Sequence, residues 1–233
     1  MNRVIAHRGA SGYAPENTES AIRLAAALGA RSIEIDITPT ADGHLVLHHD
    51  DSLDRCSNGT GYVADQTLAQ LSTLDTGSWF APEFAGEKII SFDQCLQLAE
   101  ALDLSVNAEL KPPFGLETHC ATLAIKSANR HANVEVLFSS FNLIALQALK
   151  SIAPASRVAY LIERPGQDWL SRALALGADA VHVWNHDLPE DISEALQNNL
   201  AMRVFTVNDA ARAEFLWEQG YASVFTDFPD RLG

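Results

Sequence analysis

Three things are scarce in this chain, and each scarcity closes off a class of function. Cysteine occurs only at Cys56, Cys95 and Cys120. That is too few, and too scattered, for a disulfide framework or a zinc site, and any pairing would leave one thiol over. Reduced thiols and a cytoplasmic location are expected. Positive charge is the second: 16 Lys and Arg face 30 Asp and Glu, for a net charge of −14. Nucleic acid needs a basic face to receive its phosphates, and anionic lipid needs the same. Neither is an expected partner. Long hydrophobic runs are the third, since none reaches the ~18 residues of a membrane span. The N-terminus shows no secretory pattern, because Arg3 runs straight into a strand-like segment. What remains is a small-molecule substrate for a monomer or homodimer with no membrane insertion.

Apolar residues, by contrast, make up 47% of the chain, enough for one large core. They fall in short runs. Strands are predicted at Val4–His7, Ile33–Ile37, Leu45–His48, Val106–Leu110, Val136–Ser139, Val158–Leu161, Ala180–Val183, Met202–Thr206 and Ser223–Thr226. Helical patterns separate most of them. Thr18–Leu28 carries apolar residues at helical spacing, and Phe92–Leu102 follows Ser91 with Gln94 three residues on, a capping box. Gly29, Gly177 and Gly220 each stand about three residues before a strand, where glycine supplies the left-handed helix end. Such alternation implies a parallel sheet with right-handed crossovers. The third run does not fit it. Only TPTADGH lies between it and the second, so it reads as a hairpin arm returning from a two-residue turn at Asp42-Gly43. The other runs then form a TIM (β/α)8 barrel spanning residues 1–233 as one domain. Residues 51–90, rich in Gly, Ser, Thr and Asp, read as a small insertion.

Active sites of this architecture lie at the C-terminal ends of the strands. Glu34 and Asp36 alternate with Ile33, Ile35 and Ile37, so both carboxylates share one face. The isoleucines belong against the helices, which turns the carboxylates into the barrel. Buried carboxylates need a cation or a basic partner, and Arg8, Arg31 and Lys111 are the available pairs. The two-residue turn would set Asp36 opposite His49; a one-residue slip would bring His48 there instead. Glu109 and Lys111 repeat the spacing on the strand before Pro112. All-oxygen ligands suit Mg²⁺ or Ca²⁺ rather than zinc. A divalent cation with Arg and Lys suits a phosphate ester, and two histidines suit proton transfer near neutral pH. The expected chemistry is metal-assisted cleavage of a phosphoester.

The motifs HRG and PENT (7–9, 15–18), EID (34–36), HDxxLDR (49–55), SNGTGYV (57–63), ELK (109–111), FTVN (205–208) and TDFPD (226–230) resemble the glycerophosphodiester phosphodiesterase family. The resemblance spans residues 4–230. It implies a TIM barrel that hydrolyses glycerophosphocholine or glycerophosphoethanolamine to sn-glycerol 3-phosphate and an alcohol. It also implies His7 and His49 as the acid–base pair, and Glu34, Asp36 and Glu109 as ligands of Mg²⁺ or Ca²⁺. Arg8 and Lys111 would hold phosphate, with Glu16 supporting from behind. A neighbouring glycerol hydroxyl attacking phosphorus, to give a cyclic phosphate, competes with direct attack by water. Cys56 replaces the usual Thr after LDR, and His48 stands where an apolar residue is commoner. Trp184 and Phe205 end strands on the active face and are candidates to contact substrate. Trp79 lines the alcohol pocket or simply packs, His186 is placed to reach the mouth, and His119, His131 and His182 read as ordinary helix or strand residues. A lysophospholipid-cleaving relative, a non-catalytic binder and a sugar-phosphate isomerase or aldolase are the competing functions. The first lacks its apolar segment here, the second would show a lost catalytic residue, and the third does not explain three carboxylates with two histidines.

Overall fold

The strand–helix alternation closes on itself. The structure is a computed structural model that describes residues 1–232. Its strands are β1 (Val4–His7), β2 (Ser32–Pro39), β3 (Leu45–Leu47), β4 (Ser105–Leu110), β5 (Val136–Ser140), β6 (Arg157–Ile162), β7 (Ala180–Trp184), β8 (Ala201–Phe205) and β9 (Ser223–Thr226). The helices are α1 (Glu19–Ala27), α2 (Leu68–Leu71), α3 (Phe92–Ala101), α4 (Glu117–Arg130), α5 (Leu143–Ile152), α6 (Trp169–Leu176), α7 (Ser193–Gln197) and α8 (Ala210–Glu218). β1 pairs in parallel with β2 on one side and β9 on the other, so the sheet has no free barrel edge. Eight parallel strands form this TIM barrel, and β3 runs antiparallel outside it against β2.

Local chemistry sets these boundaries. Thr18 caps α1 by accepting from the Ala21 amide, and Ser91 and Gln94 form the expected reciprocal capping box on α3. Along β2 the isoleucines at 33, 35 and 37 are fully buried in the sheet–helix layer. Each contributes roughly 1.5–3 kcal/mol on burial, which offsets the cost of turning Glu34 and Asp36 inward. The insertion has a small core of its own, in which Val46 packs with Leu53, Val63, Leu71 and Ile89.

The expected two-residue turn at Asp42-Gly43 is not formed. Thr40 and His44 close a three-residue loop instead, with Thr40 N donating to His44 O at 2.8 Å. The Thr40 hydroxyl organises the longer loop: it accepts from the His44 amide and donates to Asp42 Oδ1 at 2.7 Å. Asp42 Oδ1 in turn accepts from the Leu68 amide at the start of α2. The ladder therefore pairs Ile37 with Leu47, and His48 rather than His49 stands opposite Asp36, its amide donating to Asp36 O at 3.1 Å.

Gly43 closes that loop at φ +78°, and a Cβ there would meet only His119 Nε2, at an unstrained 4.0 Å. Gly43→Ala should therefore cost about 1–2 kcal/mol through backbone strain alone, and Gly43→Asn less. Urea unfolding of both variants measures this, and an Ala variant as stable as the parent would contradict it.

Candidate active site

The barrel mouth is built around three inward carboxylates. Glu34 and Asp36 come from β2 and Glu109 from the adjacent β4, which aligns Asp36 beside Glu109 in register. All three are buried, at 4%, 1% and 8% exposure. Each offers an oxygen within 4.8 Å of the others. Two cations meet them. Arg8 Nε lies 3.4 Å from Asp36, and Lys111 Nζ lies 3.2 Å from Glu109 and 3.7 Å from Asp36. Arg31, the other cation considered, is exposed at the opposite end of the strand, before Ser32.

Three carboxylates against two cations leave one negative charge over, and the titration behaviour follows. Burial pushes Glu34 well above the usual carboxylate range, and Asp36 and Glu109 push it further. Burial and Asp36 raise Glu109 to about 7. Burial also works to raise Asp36, but Arg8 and Lys111 outweigh it and hold Asp36 below its ordinary value. A divalent cation suits this excess charge and its all-oxygen donors.

Two histidines approach the cluster in the same way. His7 ends β1; its Nδ1 lies 2.7 Å from Asp227 Oδ1, just beyond β9, and its Nε2 lies 4.0 Å from Glu34. Asp227 also accepts from Ser11 and Asn208. Burial works to raise Asp227, yet its bonds to His7, Asn208 and Ser11 hold it down at about 2. His49 Nδ1 pairs with Asp50 at 2.6 Å. Because an ionised carboxylate can only accept, Nδ1 carries the proton in both rings and Nε2 is left free. Burial lowers the His49 pKa, while the nearby Asp36 opposes that shift. His49 reaches the cluster because the chain bends after Leu47, not through the ladder argued from the sequence. His48 instead turns its buried ring to the Ser52 carbonyl at 2.8 Å.

A carboxylate–guanidinium chain ties these groups together. Arg55 grips Asp50 and Glu16 with two hydrogen bonds each. Glu16 also accepts from Arg8 at 2.7 Å. The PENT and HRG segments supply the geometry through two left-handed residues, Arg8 (φ 54°) and Asn17 (φ 59°). In that conformation the Arg8 amide donates to Glu34 at 3.0 Å while its side chain turns to Asp36 and Glu16. Asn17 donates to the Asp36 carboxylate and accepts from the Asp36 amide.

His7, Arg8, Glu16, Glu34, Asp36, His49, Glu109 and Lys111 thus share one connected site. Phe205 lines a cavity below it, and Trp184 stands 38% exposed at the end of β7, its ring tilted at 55° against that of His186. Trp79 packs inside the insertion, donating to Thr76 O and meeting Phe80 edge-on. Sequence reasoning assigned no role to Asp227, Asp50, Arg55 or Asn17, although TDFPD, HDxxLDR and PENT contain them. It also read His182 as an ordinary strand residue, whereas the structure turns it into the barrel interior beneath the carboxylates.

Residues 7–231 match the glycerophosphoryl diester phosphodiesterase family. A glycerophosphodiester phosphodiesterase of Caldanaerobacter subterraneus is 35% identical over 98% of this chain and 95% of its own length. A phosphodiesterase of Oleispira antarctica, solved in complex with the product sn-glycerol 3-phosphate, superposes with a TM-score of 0.96 at 33% identity. That match covers 100% of this chain and 95% of the other. A glycerophosphodiester phosphodiesterase of Agrobacterium tumefaciens gives a TM-score of 0.83 at 29% identity, covering 100% and 99%.

Glu109 also makes a stability prediction. Its carboxyl titrates near 7 when folded and at 4.5 ordinarily, so between those values the folded chain holds a proton that the unfolded chain has lost. The stabilisation is present at low pH and is lost as pH rises through about 7. The lowered His49 pKa acts oppositely below 6.5, so the comparison is made against a variant. Without added cation, the Tm should fall from about pH 6 to 8, and more steeply than in Glu109→Gln. Parallel Tm–pH curves for the two proteins would contradict the raised Glu109.

Proposed function

This chain belongs to the glycerophosphoryl diester phosphodiesterase family, enzymes that cleave glycerophosphodiesters, and we propose that it releases sn-glycerol 3-phosphate from deacylated phospholipids such as glycerophosphocholine and glycerophosphoethanolamine. The observation that carries this reading is a pair of His–Asp dyads beside a buried cluster of three carboxylates. Glu34, Asp36 and Glu109 would hold Mg²⁺ or Ca²⁺. Such an ion supplies positive charge to a phosphoryl oxygen and favours ionisation of a bound hydroxyl.

The protein's own groups account for the rest. Arg8 and Lys111 present cations beside the cluster, where charge builds on the phosphoryl oxygens in the transition state. Both are pre-aimed by carboxylates, Arg8 through Glu16 and Lys111 through Glu109. In each dyad the aspartate fixes the ring so that Nε2 is the nitrogen that exchanges protons. One Nε2 takes the proton of the glycerol 2-hydroxyl as its oxygen bonds to phosphorus. The other ring, entering the step as the imidazolium with Nε2 also protonated, gives that proton to the departing alcohol as the P–O bond to the head group breaks. The resulting cyclic phosphate is opened by water with the two proton transfers reversed. Direct attack by water uses the same pair, and detection of the cyclic phosphate by phosphorus NMR separates the routes. Trp184 and Phe205 contact the substrate from the rim and the wall of the site.

The test is a panel of glycerophosphodiesters with metal-loaded protein. Glycerol 3-phosphate should appear, a chelator should abolish its release, and His7→Ala or His49→Ala should cost at least about 100-fold in kcat. A panel left intact by the loaded enzyme would refute the function.

Asp227 should act through His7 alone. Asp227→Asn keeps the shape but presents an amide that can leave His7 in the wrong tautomer. It should lower kcat by roughly 100- to 10,000-fold with little change in KM. An equal loss shared with KM would point to substrate binding instead.

A further inference from the structure

Single exposed apolar side chains are ordinary, whereas a gathering of them marks a contact surface. One sector of the barrel mouth gathers four. Phe114 and Leu116 stand in the loop between β4 and α4, and Phe141 and Ile144 lie between β5 and the first turn of α5. Because β4 and β5 are neighbouring parallel strands, both loops leave the C-terminal face side by side. Phe114 is fully exposed, Ile144 61%, Phe141 41% and Leu116 37%. Pro112 and Pro113 stiffen the loop that carries Phe114. The four come from two separate loops, so no apolar run in the sequence announces them.

Charge singles out the same sector. The chain has 30 acids among 233 residues, yet between Glu109 and Glu163 the only ones are Glu117 and Glu135. Glu117 is 9% exposed. Glu135 precedes β5, at the end of the barrel opposite the mouth. The apolar tips therefore have no exposed acid in their own loops. The loop after β7 is the reverse, with Asp187, Glu190 and Asp191. An otherwise acidic protein thus offers one acid-free apolar edge, and that edge borders the carboxylate cluster through Glu109 on β4.

Area and charge choose the occupant. The four side chains expose roughly 450 Å² between them, well short of the ~800 Å² that each partner brings to a stable dimer. Tips that project singly suit a soft surface into which each can sink, as apolar side chains do at a membrane interface. Lipid phosphates repel carboxylates, so the acid-free edge is the one able to approach them. No described helix is long and apolar enough to cross a membrane, and this contact is made by loops alone.

We propose that the loops after β4 and β5 dock this chain on a zwitterionic lipid surface, with Phe114 and Ile144 entering the headgroup layer. β8 and β9 lie across the barrel, so docking on one edge leaves the other side of the mouth open to solvent. The inference goes beyond the glycerophosphodiester reading and does not depend on it. Together the two bring the mouth to the surface at which hydrolysis of acyl esters releases deacylated phospholipids.

Sedimentation of the full chain with phosphatidylcholine vesicles tests the docking. The wild type should bind, and the double variant Phe114→Ser, Ile144→Ser should partition at least about 10-fold more weakly. Phosphatidylglycerol in the vesicles should weaken wild-type binding, because the net charge is −14, and salt should restore it. No wild-type binding, equal binding by the double variant, or binding strengthened by phosphatidylglycerol overturns the proposal. So does light scattering that finds a wild-type dimer and a monomeric double variant, since the patch would then belong to a second copy. Should the double variant not fold, Phe114→Trp decides: its added emission should shift to the blue on vesicles, and an unshifted emission overturns the proposal. Hydrolysis of soluble glycerophosphocholine should be the same in wild type and double variant, and a loss would place these residues in the site instead. Turnover without vesicle binding refutes the docking alone, and vesicle binding without turnover refutes the catalytic reading alone.

Discussion

Like charges confined in a dry place govern this molecule. Two carboxylates about 4 Å apart repel by roughly 4 kcal/mol even at an effective dielectric of 20, and here three share a space of that size. Burial makes each charge dearer still. The surrounding structure answers that repulsion piece by piece. Arg8 and Lys111 neutralise Asp36, Asn17 hydrogen-bonds it, and Glu34 and Glu109 shift toward the protonated form. What remains is an appetite for one more cation. An arrangement that is a liability for folding is therefore what the proposed function draws on to hold an ion and, next to it, a phosphate.

The same logic extends outward in alternating signs. His49 leans on Asp50, Asp50 on Arg55, Arg55 on Glu16, Glu16 on Arg8, and Arg8 on Asp36. Arg55 belongs to the segment between the hairpin and α3, which contributes no strand to the barrel. That segment could pass for decoration. Through Arg55 it fixes the orientation of a histidine and, indirectly, the cation nearest Asp36. His7 receives its support from the other direction, from Asp227 and Asn208 at the ends of the last strands. The two dyads are chemically alike but anchored in different parts of the fold.

Much of this was legible in the sequence, for identifiable reasons. Period-two alternation in Ile33–Ile37 showed which face the carboxylates take, because a strand's geometry leaves no third choice. The capping box at Ser91 and the glycines at helix ends likewise encode their own conformations. The hairpin did not. The three-residue loop is held by the Thr40 hydroxyl, which bonds both Asp42 and the His44 amide, contacts that no propensity records. The register is one residue off the one argued from the sequence, and His49 lies near Asp36 through the bend after Leu47 instead. Asp227 went unassigned because its partner is set by where strands end rather than by spacing. His182 was passed over because a single histidine in an apolar strand resembles a core residue until its neighbours across the sheet, Arg203 and Leu161, are known.

One contact also has a meaning in time. His7 and Asp227 are 220 residues apart; His7 ends β1 and Asp227 follows β9, the two strands that close the barrel against each other. A ribosome adding about 5–20 residues per second needs on the order of 10–40 seconds to travel from the first to the second. For about the last half of that interval the carboxylates of β2 and β4 already exist, but the His7 ring beside them has no aspartate to hold it. The nascent chain therefore makes its three carboxylates and the His49–Asp50 pair long before the His7–Asp227 pair can form. β9 is the last strand to be made, and its docking completes the His7 dyad, so a chain stalled short of it carries the carboxylate cluster with one of its two dyads missing.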